Sequence, residues 1–132
     1  MKAIEYVHSK RVIHRDLKLG NLFLTERMQL KVGDFGLAAQ VFYQGEKKRT
    51  VCGTPNYLAP EVLEANGGHS YEVDYWSIGV ILYTMLCGRP PFESAEVKQT
   101  YQKIKLGQFS FPDNLEIHPL AQSFIRECLI LD

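Results

Sequence analysis

Apolar residues at helical spacing mark the start and the middle of the chain. Ala3 and Val7 lie on one face of a helix that is predicted over residues 1 to about 9. Residues 74–87 are apolar on nearly every face, which predicts a helix in the middle of the domain rather than on its surface. Gly88 ends this helix, and the two prolines that follow keep it from resuming.

The last third of the chain carries two further helical patterns. An amphipathic pattern predicts a helix over residues 94–106, which Ser94 starts. A last helix is predicted from about Pro119, with Leu120 and Cys128 on its apolar side.

Two short apolar runs predict a single hairpin. The runs are residues 22–24 and 30–32, and the polar residues 25–29 form the turn between them. Residues 33–61 are rich in glycine, proline and charge, and so long a connection in a compact domain is uncommon unless it is functional. The predicted fold class is α+β, mainly helical with a small β-hairpin, in one domain.

Composition and charge narrow the classes of function. Hydrophobic residues make up 45% of the 132 residues, which predicts a packed globular core. Fifteen lysines and arginines balance fifteen acidic residues, so charge gives no footprint for nucleic acid or an anionic membrane. We therefore expect no nucleic-acid partner and no membrane partner.

Cysteine usage and the apolar runs predict an intracellular protein. Cys52, Cys87 and Cys128 are odd in number and include no CxxC pair, which favours free thiols in a reducing cytoplasm or nucleus. The longest apolar run, residues 75–87, is shorter than the roughly twenty residues that a membrane-spanning helix needs. The first residues of the chain are too polar for a signal peptide.

The residues that can carry chemistry are concentrated in three runs: His14-Arg15-Asp16-Leu17-Lys18-Leu19-Gly20-Asn21, Asp34-Phe35-Gly36 and Ala59-Pro60-Glu61. Phosphoryl transfer from ATP needs a carboxylate that orients the attacking hydroxyl, a cation near the transferred group, and magnesium. Magnesium prefers oxygen ligands, which Asn21 and Asp34 can supply from the two ends of the hairpin. Asp16 and Lys18 lie two residues apart in the loop before the first strand. The alternative is that these polar residues only form turns and caps.

The three runs resemble the catalytic loop HRDLKxxN and the DFG and APE motifs of eukaryotic protein kinases, in the order in which that family has them. The resemblance implies that Asp16 is the catalytic base and that Lys18 contacts the transferred phosphate, as is typical of serine/threonine kinases. It implies that Asn21 and Asp34 are the magnesium ligands. We therefore expect ATP and Mg²⁺ as cofactors and serine or threonine residues of proteins as substrates.

Two further residues have structural roles in the family. The run that begins at Asp74 resembles DxWSxG, and the resemblance implies that Asp74 accepts hydrogen bonds from the backbone of the catalytic loop. The alternative is a plain helix N-cap. The resemblance also pairs Glu61 with an arginine beyond the last residue of this sequence, so we expect Glu61 to lack that partner and the chain to be marginally stable by itself.

The loop between the DFG and APE runs is here called the activation loop (residues 37–58). Three basic residues precede Thr50 in this loop. We hypothesise that Thr50 is the activating phosphosite of an upstream kinase, with Arg15 as the phosphate partner; the alternative is a merely solvated basic loop. The resemblance places Thr54 in the substrate-binding segment, near Asp16 and Lys18, whereas the alternative is an ordinary turn residue.

Several runs resemble the polo-like kinases in particular, and the match spans essentially the whole chain. They are Lys18-Leu19-Gly20-Asn21-Leu22-Phe23, Thr50-Val51-Cys52-Gly53-Thr54-Pro55-Asn56-Tyr57 and Gly88-Arg89-Pro90-Pro91-Phe92-Glu93. The resemblance implies that Phe23 forms the floor of the adenine pocket; the alternative is a strand residue packed in the core. Gly20, in the same nucleotide site, offers no acidic side chain to a basic substrate, which fits targets with acidic residues before the serine or threonine.

The polo-like resemblance also implies a biological setting. It implies a role in cell division at centrosomes, spindle poles and kinetochores, in a kinase domain that is monomeric. The chain carries no glycine-rich loop, no ATP-clamping lysine with its glutamate, and no polo box. We therefore interpret residues 1–132 as a partial kinase domain, from late helix E to about helix H, without the N-lobe and the final helix.

Two classes of function follow from these residues. In the first, the chain is part of an active kinase and works when the N-lobe is present, while the chain alone is inactive. In the second, it is an inactive truncated lobe that only binds substrates or regulators. A pseudokinase is disfavoured because Asp16, Lys18, Asn21 and Asp34 are all present.

Overall fold

The fold is mainly helical with small antiparallel strand pairs, which confirms the coarse class predicted from the sequence. The computed structural model describes residues 1–64 and 67–131. The helices are α1 (Lys2–Ser9), α2 (Glu72–Cys87), α3 (Val97–Lys105) and α4 (Pro119–Cys128). The strands are β1 (Val12–Ile13), β2 (Leu22–Leu24), β3 (Leu30–Val32) and β4 (Ala39–Gln40).

The strands form two separate pairs. Strands β2 and β3 make the predicted hairpin, with Leu22 opposite Val32 and Leu24 opposite Leu30. Strands β1 and β4 form a second antiparallel pair that the sequence analysis does not predict. This second pair holds the start of the activation loop against the segment that follows α1.

Helix α2 lies in the core, as its apolar pattern predicts. The Trp76 ring stacks on the fully buried Phe92 ring, with 5.5 Å between the ring centroids. The helix ends at Gly88, which is left-handed with φ of 78° and donates its amide to the Thr84 carbonyl at 2.9 Å. Helix α2 starts at Glu72, two residues before the predicted start.

Helix α4 packs against α2 at Cys128, as the sequence predicts, but Leu120 does not take part in this packing. A Cβ on Gly79 of α2 would lie 2.6 Å from the Cys128 Cβ, so glycine is what allows the two helices to approach so closely. Within α4 the buried side chain is Ile125, whereas Leu120 is 75% exposed. The expectation that Leu120 lies on the packed side is therefore wrong.

The predicted start of α3 is also wrong. The helix begins at Val97 rather than at Ser94, because Glu96 still has an extended backbone with φ of −114° and ψ of 135°. Glu96 occupies the N-cap position without a capping hydrogen bond from its side chain.

The remaining connections contain short ordered pieces. One 3-10 turn, Pro55–Tyr57, lies near the end of the activation loop, and a second, Pro60–Val62, follows the loop. Glu61 has an interaction partner in the structure.

All three cysteines are free thiols. Within the described ranges, no helix is both long and apolar enough to cross a membrane.

Candidate active site

Asp74 ties the catalytic loop to helix α2. Its carboxylate accepts hydrogen bonds from the backbone amides of His14 and Arg15, both at 2.9 Å. It also accepts one from the His8 Nε2 at 2.7 Å. Asp74 is fully buried and lies in the first turn of α2, while Tyr71 occupies the N-cap position. The carboxylate therefore serves the loop rather than capping its own helix.

Arg15 has an unusual backbone conformation between these anchored amides. Its φ of 68° is left-handed, which is uncommon for a residue with a Cβ and costs free energy. The hydrogen bond from the Arg15 amide to Asp74 stabilises this conformation. The orientation of the next residue, Asp16, therefore depends on these hydrogen bonds to Asp74 and not on the conformational preference of the loop residues themselves.

The His14 ring connects the catalytic loop to the DFG run. Its Nδ1 accepts the Asp16 amide at 3.3 Å, so its Nε2 carries the proton and donates to the Gly33 carbonyl at 3.0 Å. The ring also packs against Phe35, with 4.8 Å between ring centroids. His14 is fully buried, so the loop that carries Asp16 and the run that carries Asp34 are fixed relative to one another.

Asp16, Lys18 and Thr54 form a closed triangle of hydrogen bonds. The Lys18 ammonium donates to the Asp16 Oδ2 at 2.8 Å and to the Thr54 Oγ1 at 2.9 Å. The Thr54 hydroxyl in turn donates to the Asp16 Oδ1 at 2.7 Å. The structure thus brings together two residues of the catalytic loop and one residue of the activation loop.

These contacts decide the charge on Asp16. Burial by itself raises the pKa of the Asp16 carboxyl. Hydrogen bonds from Lys18 and Thr54, the charge of Lys18 and a hydrogen bond from Asn21 outweigh burial, so the pKa lies below its usual value. Asp16 is therefore a carboxylate at neutral pH and can accept a hydrogen bond from a hydroxyl.

Asn21 and Asp34 lie at the same end of the β2–β3 hairpin. The Gly33 amide, next to Asp34, donates to the Asn21 carbonyl at 3.0 Å. The Asn21 Nδ2 donates to the Asp16 carbonyl at 2.8 Å, which leaves the Asn21 amide oxygen facing away from that bond. Asp34 is exposed, and its Oδ1 accepts the Gly36 amide at 3.2 Å.

The oxygen atoms of Asn21 and Asp34 suit a magnesium ion that also binds phosphate and water, rather than a metal ion whose ligands all come from the protein. No group of three or more His, Cys, Asp and Glu residues that could hold a metal ion occurs in the described part of the chain. One amide oxygen and one carboxylate, completed by phosphate oxygens and water, are the ligands that magnesium usually takes in nucleotide sites. The residues present therefore fit Mg²⁺ bound together with a nucleotide.

Phe23 lies on the surface of the hairpin and not in the core. Its side chain is 54% exposed, which contradicts the alternative of a packed core residue. The ring covers Gly33, where an added Cβ would lie only 2.8 Å from the ring. Gly20, at the start of the same hairpin, is exposed as well.

The structure does not join Arg15 to Thr50. The Arg15 Nε donates to the Leu37 carbonyl at 2.7 Å, and Thr50 is exposed in the activation loop. Among the described residues, no hydrogen bond connects the two side chains. The predicted phosphate partnership therefore stays a prediction.

A comparison with known protein families identifies the family to which the chain belongs. The family described as protein kinase domain matches residues 1–132. The chain belongs to the protein kinase family. It is 60% identical over 98% of its length to the probable serine/threonine-protein kinase CCRP1 of Zea mays. It is 58% identical over its whole length to the serine/threonine-protein kinase PLK1 of Xenopus laevis, and 55% identical over 87% to the serine/threonine-protein kinase polo of Drosophila melanogaster.

These similarities confirm the polo-like resemblance drawn from the motifs. The chain spans only 20–22% of the length of these three relatives. Membership of the protein kinase family implies ATP with Mg²⁺ as cofactors and proteins as substrates.

Sequence reasoning missed two histidines in this candidate site. His8 was read only as part of α1, yet its Nε2 donates to Asp74 and its ring packs between Tyr71 and Tyr75. His14 was read only as a letter of the catalytic-loop motif. No pattern in the sequence indicates these roles, because each imidazole acts through whichever distant groups pack against its two ring nitrogens.

Proposed function

We propose that this chain is the C-terminal lobe of a polo-like protein serine/threonine kinase, which transfers the γ-phosphoryl group of ATP to a protein hydroxyl. The observation that carries this proposal is the Asp16–Lys18–Thr54 triangle, in which every distance is between 2.7 and 2.9 Å. A buried carboxylate beside a cation and a loop hydroxyl suits hydroxyl-to-phosphorus chemistry. No function of turns or caps alone requires this combination.

Asp16 orients the attacking hydroxyl in the proposed mechanism. An arriving serine or threonine hydroxyl donates its hydrogen bond to the Asp16 carboxylate in place of Thr54 or beside it, so that its oxygen points toward the γ-phosphorus. The lowered pKa of Asp16 keeps it charged for this role. The hydroxyl proton passes to Asp16 as the new oxygen–phosphorus bond forms, and the bond between the γ-phosphorus and the bridging oxygen breaks so that ADP leaves.

Lys18 supplies the cation near the transferred group. Its ammonium is shared between Asp16 and Thr54 before substrate binds, so it is already held beside the reacting centre. Charge placed in advance where the transition state carries negative oxygens lowers the barrier without reorganisation.

Asn21 and Asp34 are the proposed magnesium ligands. When bound, Mg²⁺ neutralises negative charge on the phosphates of ATP. The chain contributes an amide oxygen that faces away from Asp16 and an exposed carboxylate, at one end of the same hairpin. Phe23, exposed on that hairpin and backed by Gly33, is the proposed floor of the adenine pocket, and Gly20 lies in the same nucleotide site.

The proposed substrates are protein serines and threonines with acidic residues before the target. Gly20 places no carboxylate at this part of the site, so nothing there attracts a basic residue of the substrate. One relative, 54% identical, is the cell cycle serine/threonine-protein kinase CDC5/MSD2 of Saccharomyces cerevisiae. We extend that setting to this chain as cell-division control at centrosomes, spindle poles and kinetochores, with residues 1–132 as part of a monomeric kinase domain.

Phosphate on Thr50 is the proposed activating switch. Its charge of about −1.5 to −2 would attract Arg15, which lies next to Asp16 and is held there by Asp74. Thr50→Val in a full-length kinase that carries this chain removes the phosphosite and is expected to lower activity. Activity equal to that of the wild type rules out the switch but leaves the catalytic assignment untouched.

Asp34→Asn tests the assigned chemistry. In a full-length kinase that carries this chain, the variant should lose magnesium-dependent binding of ATP and with it nearly all phosphorylation of casein. The alternative function, a lobe that only binds substrates or regulators, predicts that casein binding and the absence of turnover are the same in wild type and variant. Turnover that survives Asp34→Asn contradicts the proposal.

A further inference from the structure

The activation loop is bridged to the segment that precedes α2. The Lys48 amide donates to the His69 carbonyl and the His69 amide donates to the Lys48 carbonyl, both at 2.8 Å. Thr50, two residues after Lys48, is exposed. The loop is therefore fixed immediately before the proposed phosphosite.

Gly68 is the residue that permits this bridge. Its φ of +69° is left-handed, and a Cβ at this position would lie 3.0 Å from the Lys47 Cβ and 3.1 Å from the Lys48 carbonyl oxygen. Both the conformation and the close approach favour glycine. Gly67 differs on both counts, because it is not left-handed and a Cβ there would meet nothing within 4 Å.

The buried His69 side chain anchors the bridge to the core. His69 is only 2% exposed, and the residue lines a small internal cavity together with Arg15 and Cys52. On the other side, the Glu72 carboxylate of α2 accepts the Ser70 amide at 2.8 Å. The bridge thus continues into the packing beneath the catalytic loop and into the start of α2.

The activation loop is fixed a second time just after Thr50. A Cβ on Gly53 would lie 2.9 Å from the Arg15 carbonyl oxygen, so the loop backbone lies directly on the catalytic loop at this point. Thr54 then bonds to Asp16. Only residues 49–52 lie between the two fixed points.

We propose that Gly68 and His69 form a clamp that holds the activation loop at Lys48 whether or not Thr50 carries a phosphate. Movement driven by phosphate on Thr50 is then confined to residues 49–52. This confinement rests on the proposed function, since it takes Thr50 as the phosphosite. The clamp itself is a property of the backbone and does not depend on catalysis.

Residue-resolved hydrogen exchange tests the clamp in a full-length kinase that carries this chain. In the wild type, the amides of Lys48 and His69 should be protected while those of Thr50 and Val51 exchange quickly. Gly68→Ala should speed exchange at both clamp amides by about tenfold or more, the factor that corresponds to the left-handed penalty of a residue with a Cβ. Gly67→Ala, the matched control, should leave both rates unchanged.

Trypsin provides a second readout, because residues 47–49 are three consecutive cleavage sites. Gly68→Ala should be cut there faster than wild type, and Gly67→Ala should not. Thr50→Val should keep the protection of Lys48, whatever it does to kinase activity. This separates the two ideas, since a loss of activity in Thr50→Val bears on the switch alone.

Two results would overturn the clamp. One is a Lys48 amide that exchanges as fast as that of Thr50 in the wild type, a measurement that stands even if Gly68→Ala does not fold. The other is equal exchange and equal cleavage in Gly68→Ala and Gly67→Ala.

Discussion

The Thr54 hydroxyl donates a 2.7 Å hydrogen bond to the Asp16 carboxylate, although the two residues lie 38 positions apart in the chain. A contact of this separation exists only when the activation loop lies on the catalytic loop. The pKa of Asp16 therefore depends on the position of the activation loop. The hydroxyl also accepts from Lys18, so a single threonine links the carboxylate, the cation and the loop.

Thr54→Val should raise the pKa of Asp16 and lower activity. The variant removes a hydrogen bond that holds this pKa down, so the acidic limb of the pH–rate profile should move to higher pH. A hydrogen bond to a charged group contributes about 1.5–3 kcal/mol, which corresponds to a rate loss of about tenfold to a hundredfold if it is needed in the transition state. Thr54→Ser keeps the hydroxyl and should keep the profile. Identical profiles for the valine and serine variants would contradict this role.

Asp74→Asn should destabilise the fold. The carboxylate accepts from two backbone amides and from His8, whereas a carboxamide has only one accepting oxygen. A buried donor left without a partner costs about 1–3 kcal/mol, and the free energy of unfolding in urea should fall by that amount. Asp113→Asn, at an exposed turn, is the control and should change it little. Equal stability of the two variants would refute the anchoring role.

Gly33→Ala should disturb the proposed nucleotide-binding face of the hairpin through Phe23. The added Cβ would lie 2.8 Å from the ring, so either the ring or the strand must shift. Because Phe23 is 54% exposed and its ring can move outward, the loss of stability should be smaller than the cost of about 1–3 kcal/mol that is typical of overpacking in a core. Because the clash is with one side chain, Gly33→Ala should cost much less in a Phe23→Ala background. A double-mutant cycle in urea measures this coupling, and additive effects would show that the ring is not the obstacle.

His69 should make the fold less stable at acid pH. Burial and then the charge of Arg15 hold the pKa of the imidazole below its usual value of 6.5, while Glu72 and Asp74 act in the opposite direction. The unfolded chain therefore takes up a proton at His69 more readily than the folded chain. The free energy of unfolding should consequently fall as the pH drops below about 6.5.

Urea unfolding at about pH 7.5 and about pH 5.5 measures this effect of His69. The wild type should lose more stability over the interval than His69→Gln, which cannot gain a proton at this position. Losses of the same size in both proteins would assign the pH dependence to other groups.

The elements that the sequence predicts correctly are those with local signals. Strands β2 and β3 appear at the predicted residues because a hairpin needs only two apolar runs and a polar turn. The β1–β4 pair escaped prediction because its strands have two residues each and lie far apart in sequence, so neither has a periodicity to detect. The predicted helix start at Ser94 is wrong, because a serine before an apolar pattern gives no information on the backbone of Glu96, which is extended.

The candidate site divides in the same way. The resemblance to protein kinases implies one site for Asp16, Lys18, Asn21 and Asp34, and it also implies the hydrogen bonds from the catalytic-loop backbone that Asp74 accepts. The resemblance also implies that Thr54 lies near Asp16 and Lys18, but it does not predict the closed triangle of hydrogen bonds or the bond from His8 to Asp74, because those depend on how distant segments pack. The exposure of Phe23 was equally undecidable, since apolar residues at a nucleotide face and in a core look the same in sequence.

Single-turnover transfer of the γ-phosphoryl group is the most direct test of the account. The measurement compares wild type and Asp16→Asn in a full-length kinase that carries this chain, with ATP binding measured separately. The account predicts a rate lower by about 10²–10⁴-fold in the variant, the usual contribution of a positioned acid–base group, with ATP affinity unchanged. A transfer rate in Asp16→Asn equal to that of the wild type would contradict it.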